Sequence, residues 1–289
     1  MICCVKIQKF ISAIVITKLP DNLLCIKWPT TNVLAITTTR LSANIPPASS
    51  NDEYPQLNIK DTKNNPSEFH AFNLGEHVGD CATAVAQNRK SLLKYLPSKT
   101  KIQWLEQVHG NNVAIVEAHD NTPIVADAAI TRSRHIALAI MTADCLPILL
   151  SNKDGSEIAA IHAGWRPLAA NIVERTISTM LSPADEVFAW LGPCIGAKAF
   201  EVGEDVKQAF CKVSPKFNAA FQPISPLNDD LKPQKYLANL PLIAELQLFA
   251  SGVKSVAKLA ECTFEQSDKY YSYRRDGKTG RMASVICLN

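Results

Sequence analysis

The sequence lacks the paired spacings that mark the commonest metal and disulfide frameworks. It contains no Cys-x-x-Cys pair and no His-x-His pair, although it has nine cysteines and six histidines in 289 residues. An odd number of cysteines in a chain of this length does not suit the disulfide framework of a short secreted domain. We therefore expect most of the cysteines to be reduced and buried, as in a cytoplasmic protein.

Concentrated positive charge is also missing. The net charge is only +3, and the lysines and arginines are spread along the chain. Proteins that bind nucleic acid carry a clustered basic surface, so we predict no nucleic-acid partner. The N-terminal apolar run at residues 10–16 is too short to span a bilayer and has no small-residue cleavage site after it. The sequence thus predicts no membrane partner and a cytoplasmic location, and it does not predict an oligomeric state.

Strand-like and helix-like segments alternate along the chain, without an internal repeat. Apolar, β-branched runs predict strands at residues 33–40, 102–108, 113–118, 136–150, 157–162, 187–191, 254–259 and 283–288. Helical spacing of apolar residues predicts helices at residues 82–96, 167–181, 203–213 and 236–250. This alternation favours a single α/β domain whose sheets are covered by helices. We place that domain at residues 28–289, after an N-terminal extension at residues 1–27, and we expect a surface loop at residues 41–68.

Three turns of the sequence carry metal-binding residue types. His109 lies in a Gln-Val-His-Gly turn, Cys145 in an Ala-Asp-Cys-Leu-Pro break, and His162 in an Ile-His-Ala-Gly-Trp-Arg turn. Each follows or ends a strand-like run, so the three strand ends could meet at one point. Imidazole and thiolate are zinc ligands, and three protein ligands leave a fourth position open, as in catalytic zinc sites. The sequence therefore predicts a zinc enzyme.

Other roles for the same residues stay open at this stage. Cys145 could instead act as a nucleophile beside a histidine base, which would make the protein a cysteine hydrolase. A structural metal in a non-enzymatic scaffold is a third hypothesis, which the open fourth position disfavours. Asp144 and Asp127 are the candidate catalytic carboxylates. Asp144 could orient a histidine ligand through its second ring nitrogen, accept a proton, or cap backbone N–H groups.

The C-terminal segment brings three arginines within eight positions. Arg274 and Arg275 precede the turn signal Asp276-Gly277, and Arg281 follows it. Guanidinium groups recognise phosphate and carboxylate through a rigid fork of donors. The alternative is a hairpin with solvated charges, because Asp-Gly is a strong hairpin signal.

Taken together, these motifs resemble the bacterial laccase-domain family, also called multicopper polyphenol oxidoreductases and later described as purine nucleoside phosphorylases. The resemblance covers roughly residues 28–288. It is carried by the ordered motifs FNLGEHVGD, WLEQVHG, MTADCLPILL, AAIHAGWR, AWLGPCIG, YSYRRD and TGRMAS. Three departures stand out: Pro167 replaces a glycine of the HAGWRG motif, the loop at residues 41–68 is longer, and residues 1–25 have no counterpart.

The resemblance implies a layered α/β/β/α sandwich with zinc on His109, Cys145 and His162. It also implies phosphorolysis of adenosine, inosine and methylthioadenosine, together with hydrolytic deamination of adenosine. Phosphorolysis needs a phosphate pocket, for which Arg89, Arg274 and Arg275 are candidates. We add Asn73 and Gln107, which lie in the shared motifs, to the candidate substrate-binding residues.

Copper chemistry is the remaining alternative that the older family name suggests. One cysteine with two histidines can hold a blue-copper centre. A laccase also needs a trinuclear copper cluster supplied by many more histidines, usually in His-x-His pairs. Six histidines without such a pair do not supply it, so a copper-dependent polyphenol oxidase is disfavoured.

Overall fold

The computed structural model describes residues 17–18, 23–41, 69, 72–224 and 233–289. Most of the predicted loop at residues 41–68, and most of residues 1–22, lie outside this described part. Residues 17–18 are described by their backbone alone.

Two six-stranded sheets form the centre of the molecule. The first has the order β1-β2-β3-β17-β9-β4. Its strands are β1 (Thr17–Lys18), β2 (Leu23–Ile26), β3 (Val33–Thr38), β4 (Lys101–Gln103), β9 (Ile136–Thr142) and β17 (Met282–Leu288). The second has the order β16-β12-β10-β11-β8-β6. Its strands are β6 (Val113–Ile115), β8 (Ala128–Thr131), β10 (Leu146–Asn152), β11 (Ile158–Ala163), β12 (Val187–Leu191) and β16 (Ser255–Lys258).

Smaller elements surround these sheets. Two short strands, β5 (Leu105–Glu106) and β7 (Ile124–Val125), pair with each other, and β13 (Glu201–Gly203), β14 (Phe221–Pro223) and β15 (Lys235–Ala238) form a three-stranded sheet. The helices are α1 (Ala82–Leu93), α2 (Trp165–Ala169), α3 (Ile172–Thr179), α4 (Glu204–Cys211), α5 (Leu240–Ala250) and α6 (Tyr273–Asp276).

The core follows the alternation of side chains along each strand. In β9, Leu138 and Ile140 pack against the second sheet, whereas Ala137 and Ala139 face α1. In β10, Leu149 faces the first sheet, whereas neighbouring side chains face helices α2 to α5. The order of layers is therefore helix, sheet, sheet, helix, which confirms the predicted single-domain α/β/β/α sandwich.

The predicted strand at residues 136–150 is wrong as a single element. The chain leaves the first sheet after β9, turns at residues 143–145, and enters the second sheet as β10. Both strands are buried on both faces, so both are mostly apolar along their length. The hydrophobic pattern therefore does not show where one strand ends and the next begins. Asp144, with a φ of 95°, makes the turn possible and places Cys145 between the two sheets.

The helix predicted from Pro167 to Leu181 is likewise two helices. It begins earlier, at Trp165, so that Pro167 is the third residue of α2 and its missing N–H costs no helical hydrogen bond. Asn171 adopts a left-handed conformation with a φ of 59° and separates α2 from α3.

Other boundaries differ in detail. The first part of the helix predicted at residues 236–250 is strand β15, and the predicted hairpin around Asp276-Gly277 is the single helical turn α6. The predicted N-terminal extension ends with β2, which pairs with β3 along its whole length. Among the described residues, no helix combines the length and the hydrophobicity needed to cross a bilayer.

Candidate metal centre and its cavity

The three predicted ligands meet at one point. His109 lies in the loop after β5, Cys145 lies in the turn between the two sheets, and His162 lies inside β11 rather than after it. Their ligand atoms lie within 4.8 Å of one another. Cys145 Sγ is 3.7 Å from His109 Nε2, and the two imidazole rings meet edge to face with centroids 4.7 Å apart. The arrangement can hold a metal ion.

Asp127 positions both histidines. Its carboxylate accepts the N–H groups of Val108, His109 and Gly110, at 3.3, 3.0 and 2.7 Å. The same carboxylate lies 2.8 Å from Nδ1 of His162. With Nδ1 occupied in this way, Nε2 of His162 is the nitrogen left for a metal. This orienting role was one of three that the sequence left open for Asp144, and in the structure Asp127 fills it.

Asp144 has a different set of partners. Its carboxylate accepts hydrogen bonds from the hydroxyl groups of Thr263 at 2.6 Å and Ser272 at 3.0 Å, and from the N–H of Arg274 at 2.7 Å. It therefore ties the Cys145 turn to the C-terminal segment. Of the three roles considered for Asp144, only the capping of a backbone N–H group is realised in these contacts.

Gly164 allows the ligands to approach each other. A Cβ atom built at this position would lie 2.9 Å from Cys145 Sγ and 3.3 Å from the His109 ring. A side chain at this position would displace the thiol. The close approach of the ligands therefore requires the glycine of the His-Ala-Gly-Trp-Arg motif.

The electrostatics favour a thiolate. Burial by itself would raise the pKa of Cys145, but the imidazoles of His162 and His109 outweigh it and lower that pKa to about 6. Burial would likewise lower the pKa of His162, whereas the Cys145 thiolate and Asp127 raise it to about 9. Asp127 keeps a lowered pKa despite its burial, because His162 and the Gly110 and His109 amides donate to it. A thiolate is the form of cysteine that binds a metal.

A cavity of about 780 Å³ opens beside the three ligands. This volume is ordinary for the pocket of a small organic molecule. Aromatic and apolar side chains from several elements line it, among them Trp104, Met141, Trp165, Phe200 and Tyr273. Planar apolar surfaces of this kind suit a heteroaromatic ring.

Three of the predicted substrate-binding residues lie on the cavity wall. Arg89 stacks over Trp104 at 4.1 Å and pairs with Glu76 at 2.8 Å. Gln107 is bound through its amide to both backbone groups of Met141, at 2.8 Å each. Arg274 donates to the Glu201 carbonyl at 3.0 Å.

The other two lie outside the lining. The Asn73 side chain is fully buried and binds backbone groups of Gly75 and Arg281. The Arg275 guanidinium donates to main-chain carbonyls at 2.8 to 2.9 Å, and it also pairs with Asp276. These contacts hold segments together and give neither side chain access to the cavity.

Several cavity residues escaped the sequence prediction. His77, Arg166 and Arg281 line the cavity, although none of them was selected as a candidate site residue. The signal was present, since all three lie in motifs that carry the family resemblance. Nothing in the sequence indicates, however, that Arg281 faces the cavity and Arg275 does not.

The family resemblance is confirmed by comparison with known proteins. The family model described as "Multi-copper polyphenol oxidoreductase laccase" matches residues 60–289. A Pseudomonas aeruginosa protein named purine nucleoside phosphorylase PA4543 is 41% identical over 220 residues, which are 76% of this chain and 87% of that protein. The Escherichia coli purine nucleoside phosphorylase YfiH is similar to the same extent.

Solved structures agree with this fold. The crystal structure of the Neisseria meningitidis protein NMB0706 matches with a TM-score of 0.78 and 38% identity, covering 93% of this chain and 99% of that one. YlmD from Geobacillus stearothermophilus matches with a TM-score of 0.73 and 25% identity, covering 96% of this chain and all of the other.

Proposed function

Because this chain belongs to the family described as multi-copper polyphenol oxidoreductase laccase, whose curated relatives are named purine nucleoside phosphorylases, we propose that it is a zinc-dependent purine nucleoside phosphorylase. The proposed substrates are adenosine, inosine and methylthioadenosine with inorganic phosphate, and the same site would deaminate adenosine. We also propose that it acts in the cytoplasm, which agrees with the free thiols of all the described cysteines.

The observation that carries the proposal is the His109, Cys145 and His162 group on the wall of an aromatic-lined cavity. The 3.7 Å between Cys145 Sγ and His109 Nε2 suits two ligands of one tetrahedral zinc ion. Bonds of about 2.3 Å to sulfur and about 2.0 Å to nitrogen would separate them by about 3.5 Å. A zinc ion held by these three residues would keep one coordination position for water or substrate.

Zinc would supply Lewis-acid polarisation of the substrate, or a bound water with a pKa of about 7. The protein's own residues do the positioning. Asp127 keeps the His162 ring in the tautomer whose Nε2 is free, and Asp144 keeps the Cys145 turn in place. We therefore assign both carboxylates as positioning residues rather than as groups that touch the substrate.

Phosphorolysis exchanges one bond for another at the ribose. A phosphate oxygen forms a bond to C1′ while the bond from C1′ to the purine nitrogen breaks, and the departing purine takes up a proton. The cavity would bind the purine between its aromatic side chains. Arg89 and Arg274 offer positive charge near it, whereas Gln107 shapes the wall because its amide is bound to Met141.

Metal analysis of the wild type beside Cys145→Ala tests the metal. We expect about one zinc and essentially no copper per wild-type chain. The variant should lose zinc while circular dichroism shows a retained fold. Stoichiometric copper in protein prepared without a metal bias would overturn the zinc assignment. Zinc-loaded protein that leaves both inosine and adenosine unchanged in phosphate buffer would overturn the proposed reactions.

The low pKa of Cys145 favours a second candidate, a cysteine hydrolase with a histidine base. Metal dependence separates the two, because a thiolate bound to zinc is a poor nucleophile. Activity that survives chelation and disappears when Cys145 is alkylated would support the hydrolase. Activity lost on chelation and restored by zinc supports the phosphorylase.

A further inference from the structure

Arg281 is a cavity arginine that lacks a carboxylate partner among the described residues. One arm of its guanidinium, Nη1, donates to the carbonyls of Thr279 and Gly280, at 2.9 and 3.0 Å. No acceptor in the described part of the chain engages Nε or Nη2. Arg89 differs, because Glu76 pairs with it. Arg281 therefore brings to the cavity a positive charge that no carboxylate of the described residues pairs with directly.

The position of Arg281 is fixed by its surroundings. The Asn73 side-chain oxygen accepts the N–H groups of both Gly75 and Arg281, at 2.9 and 2.8 Å. The stem of Arg281 crosses Gly75 so closely that a Cβ atom there would lie 2.8 Å from Arg281 Cγ. Leu74 and Arg281 are also joined through their backbones at 3.1 Å. Segments that lie far apart in the sequence thus aim this guanidinium.

His77 lies on the same stretch of the cavity wall. Burial, Arg281 and Arg89 together lower the pKa of His77, so its ring is neutral at neutral pH. A neutral imidazole keeps one N–H donor. Burial also lowers the pKa of Arg281, while the negative charges of Cys145 and Asp144 oppose that change.

We propose that Arg281 and His77 form an anion subsite that binds inorganic phosphate in this cavity. The fork of Arg281 supplies two free N–H directions for phosphate oxygens, as arginine does in phosphate sites. His77 supplies a further donor. The identification of the anion as the co-substrate of phosphorolysis rests on the proposed function, whereas the subsite itself rests on the contacts of Arg281.

Calorimetric titration of inorganic phosphate into zinc-loaded protein, in a phosphate-free buffer, tests the subsite. Arg281→Gln should weaken phosphate binding by roughly ten- to a hundredfold, because it removes a charge-assisted hydrogen bond. Arg281→Lys should retain part of the affinity. Arg175→Gln is the matched control, since it removes the same charge from the exposed face of α3 and should bind phosphate as the wild type does. Unchanged binding by Arg281→Gln overturns the proposal, as does a wild type that does not bind phosphate.

Further arms locate the subsite and identify the phosphate source. If Arg274→Gln loses phosphate binding while Arg281→Gln binds phosphate as the wild type does, the subsite lies at Arg274 and the proposal is overturned. If Arg281→Gln does not fold, Arg281→Lys and His77→Ala decide, and unchanged affinity in both refutes it. The protein could instead bind AMP more tightly than adenosine, in a manner that depends on Arg281, while free phosphate does not bind. That result would assign the subsite to a phosphate ester and would also refute the proposal.

Kinetics keep this proposal distinct from the proposed function. Arg281→Gln should raise the KM for phosphate more than the KM for inosine. Phosphate binding that depends on Arg281, in a protein without phosphorolysis, would leave the subsite standing while the proposed function fails. If Arg281→Gln catalyses phosphorolysis with an unchanged KM for phosphate, the proposed function stands and the subsite is refuted.

Discussion

At the scale of single residues, Asp127 connects the two histidines of the candidate metal centre. One buried carboxylate accepts three consecutive backbone N–H groups around His109 and also faces the His162 ring. Loop conformation and ring orientation therefore depend on a single side chain. Loss of such a hydrogen-bonding partner of a ligand typically lowers metal affinity by roughly ten- to a hundredfold.

We predict that Asp127→Asn weakens zinc binding by roughly ten- to a hundredfold. Asparagine has the same shape, but its NH₂ group would face an N–H donor and leave it without an acceptor. Competition with a chromogenic chelator measures the affinity. Asp154→Asn, on the surface, is the control with the same chemical change. Equal zinc affinity in the two variants would show that Asp127 does not position the ligands.

The sequence was sufficient to bring together His109, Cys145 and His162, because each follows or ends a strand-like run and carries a metal-binding side chain. It could not divide the roles of Asp127 and Asp144, since both are carboxylates beside strand ends. It also could not rank Arg274, Arg275 and Arg281. Which arginine enters a cavity depends on the conformation of a short irregular segment. Hydrophobic periodicity does not predict that conformation.

At the scale of elements, the break between α2 and α3 depends on one left-handed residue. Asn171 has a φ of 59°, a conformation that asparagine and glycine tolerate better than other residues do. Periodicity cannot reveal such a break, because the apolar stripe continues through it. A single helix was therefore the natural prediction from the pattern.

The effect of a substitution at Asn171 on stability should depend on how well the new residue tolerates the left-handed conformation. We expect Asn171→Ala to lower the free energy of unfolding by about 1 kcal/mol and Asn171→Gly to leave it nearly unchanged. Urea denaturation followed by circular dichroism provides the measurement. If alanine and glycine have the same effect, the conformation of this residue does not limit stability.

Glu157 joins the start of β11 to the segment after α3. Its buried carboxylate accepts hydrogen bonds from the backbones of Leu181 and Ser182 and from the Ser182 hydroxyl, and it pairs with Arg132 at 2.5 Å. Burial would raise the pKa of Glu157, but these donors outweigh it and lower the pKa below its ordinary value of 4.5. The carboxylate therefore stabilises the folded state above the unfolded pKa, and this stabilisation is lost as the pH falls through the folded pKa.

We expect Glu157→Gln to cost about 2 kcal/mol of unfolding free energy at neutral pH. The difference from the wild type should shrink as the pH falls below 4.5, because the wild-type carboxyl group then becomes neutral as well. Urea titrations at several pH values test this expectation. A difference that stays constant across that range would mean that the ionised form contributes nothing.

At the scale of the whole molecule, the candidate metal centre lies where the two sheets meet. Cys145 sits in the turn that carries the chain from β9 to β10, and His162 belongs to the second sheet. A bound ion would therefore cross-link the turn between β9 and β10, strand β11 and the loop after β5. The alternation of segments predicted a single α/β domain, and the family resemblance alone implied the order of its layers. The point where the chain changes sheets was not predictable, because strands buried on both faces have the same apolar composition.

Zinc should accordingly raise the thermal stability of the wild type. A ligand at 1,000 times its dissociation constant adds about 4 kcal/mol to the free energy of unfolding. Differential scanning calorimetry with zinc and with a chelator should therefore show a higher Tm with zinc. Cys145→Ala is the control, because it lacks a ligand and should respond to neither addition. A wild-type Tm that ignores zinc would count against a metal bound in the folded state.

The place of β17 in the first sheet has a consequence for how the protein is made. This strand is the last in chain order, yet it pairs with β3 on one side and β9 on the other. When the ribosome has synthesised the chain up to α6, the first sheet still lacks one of its central strands. The strands β3 and β9, which are synthesised earlier, each keep one unpaired edge until β17 has been synthesised. Nascent chains stalled before residue 282 should therefore be the form of this protein that most needs a chaperone.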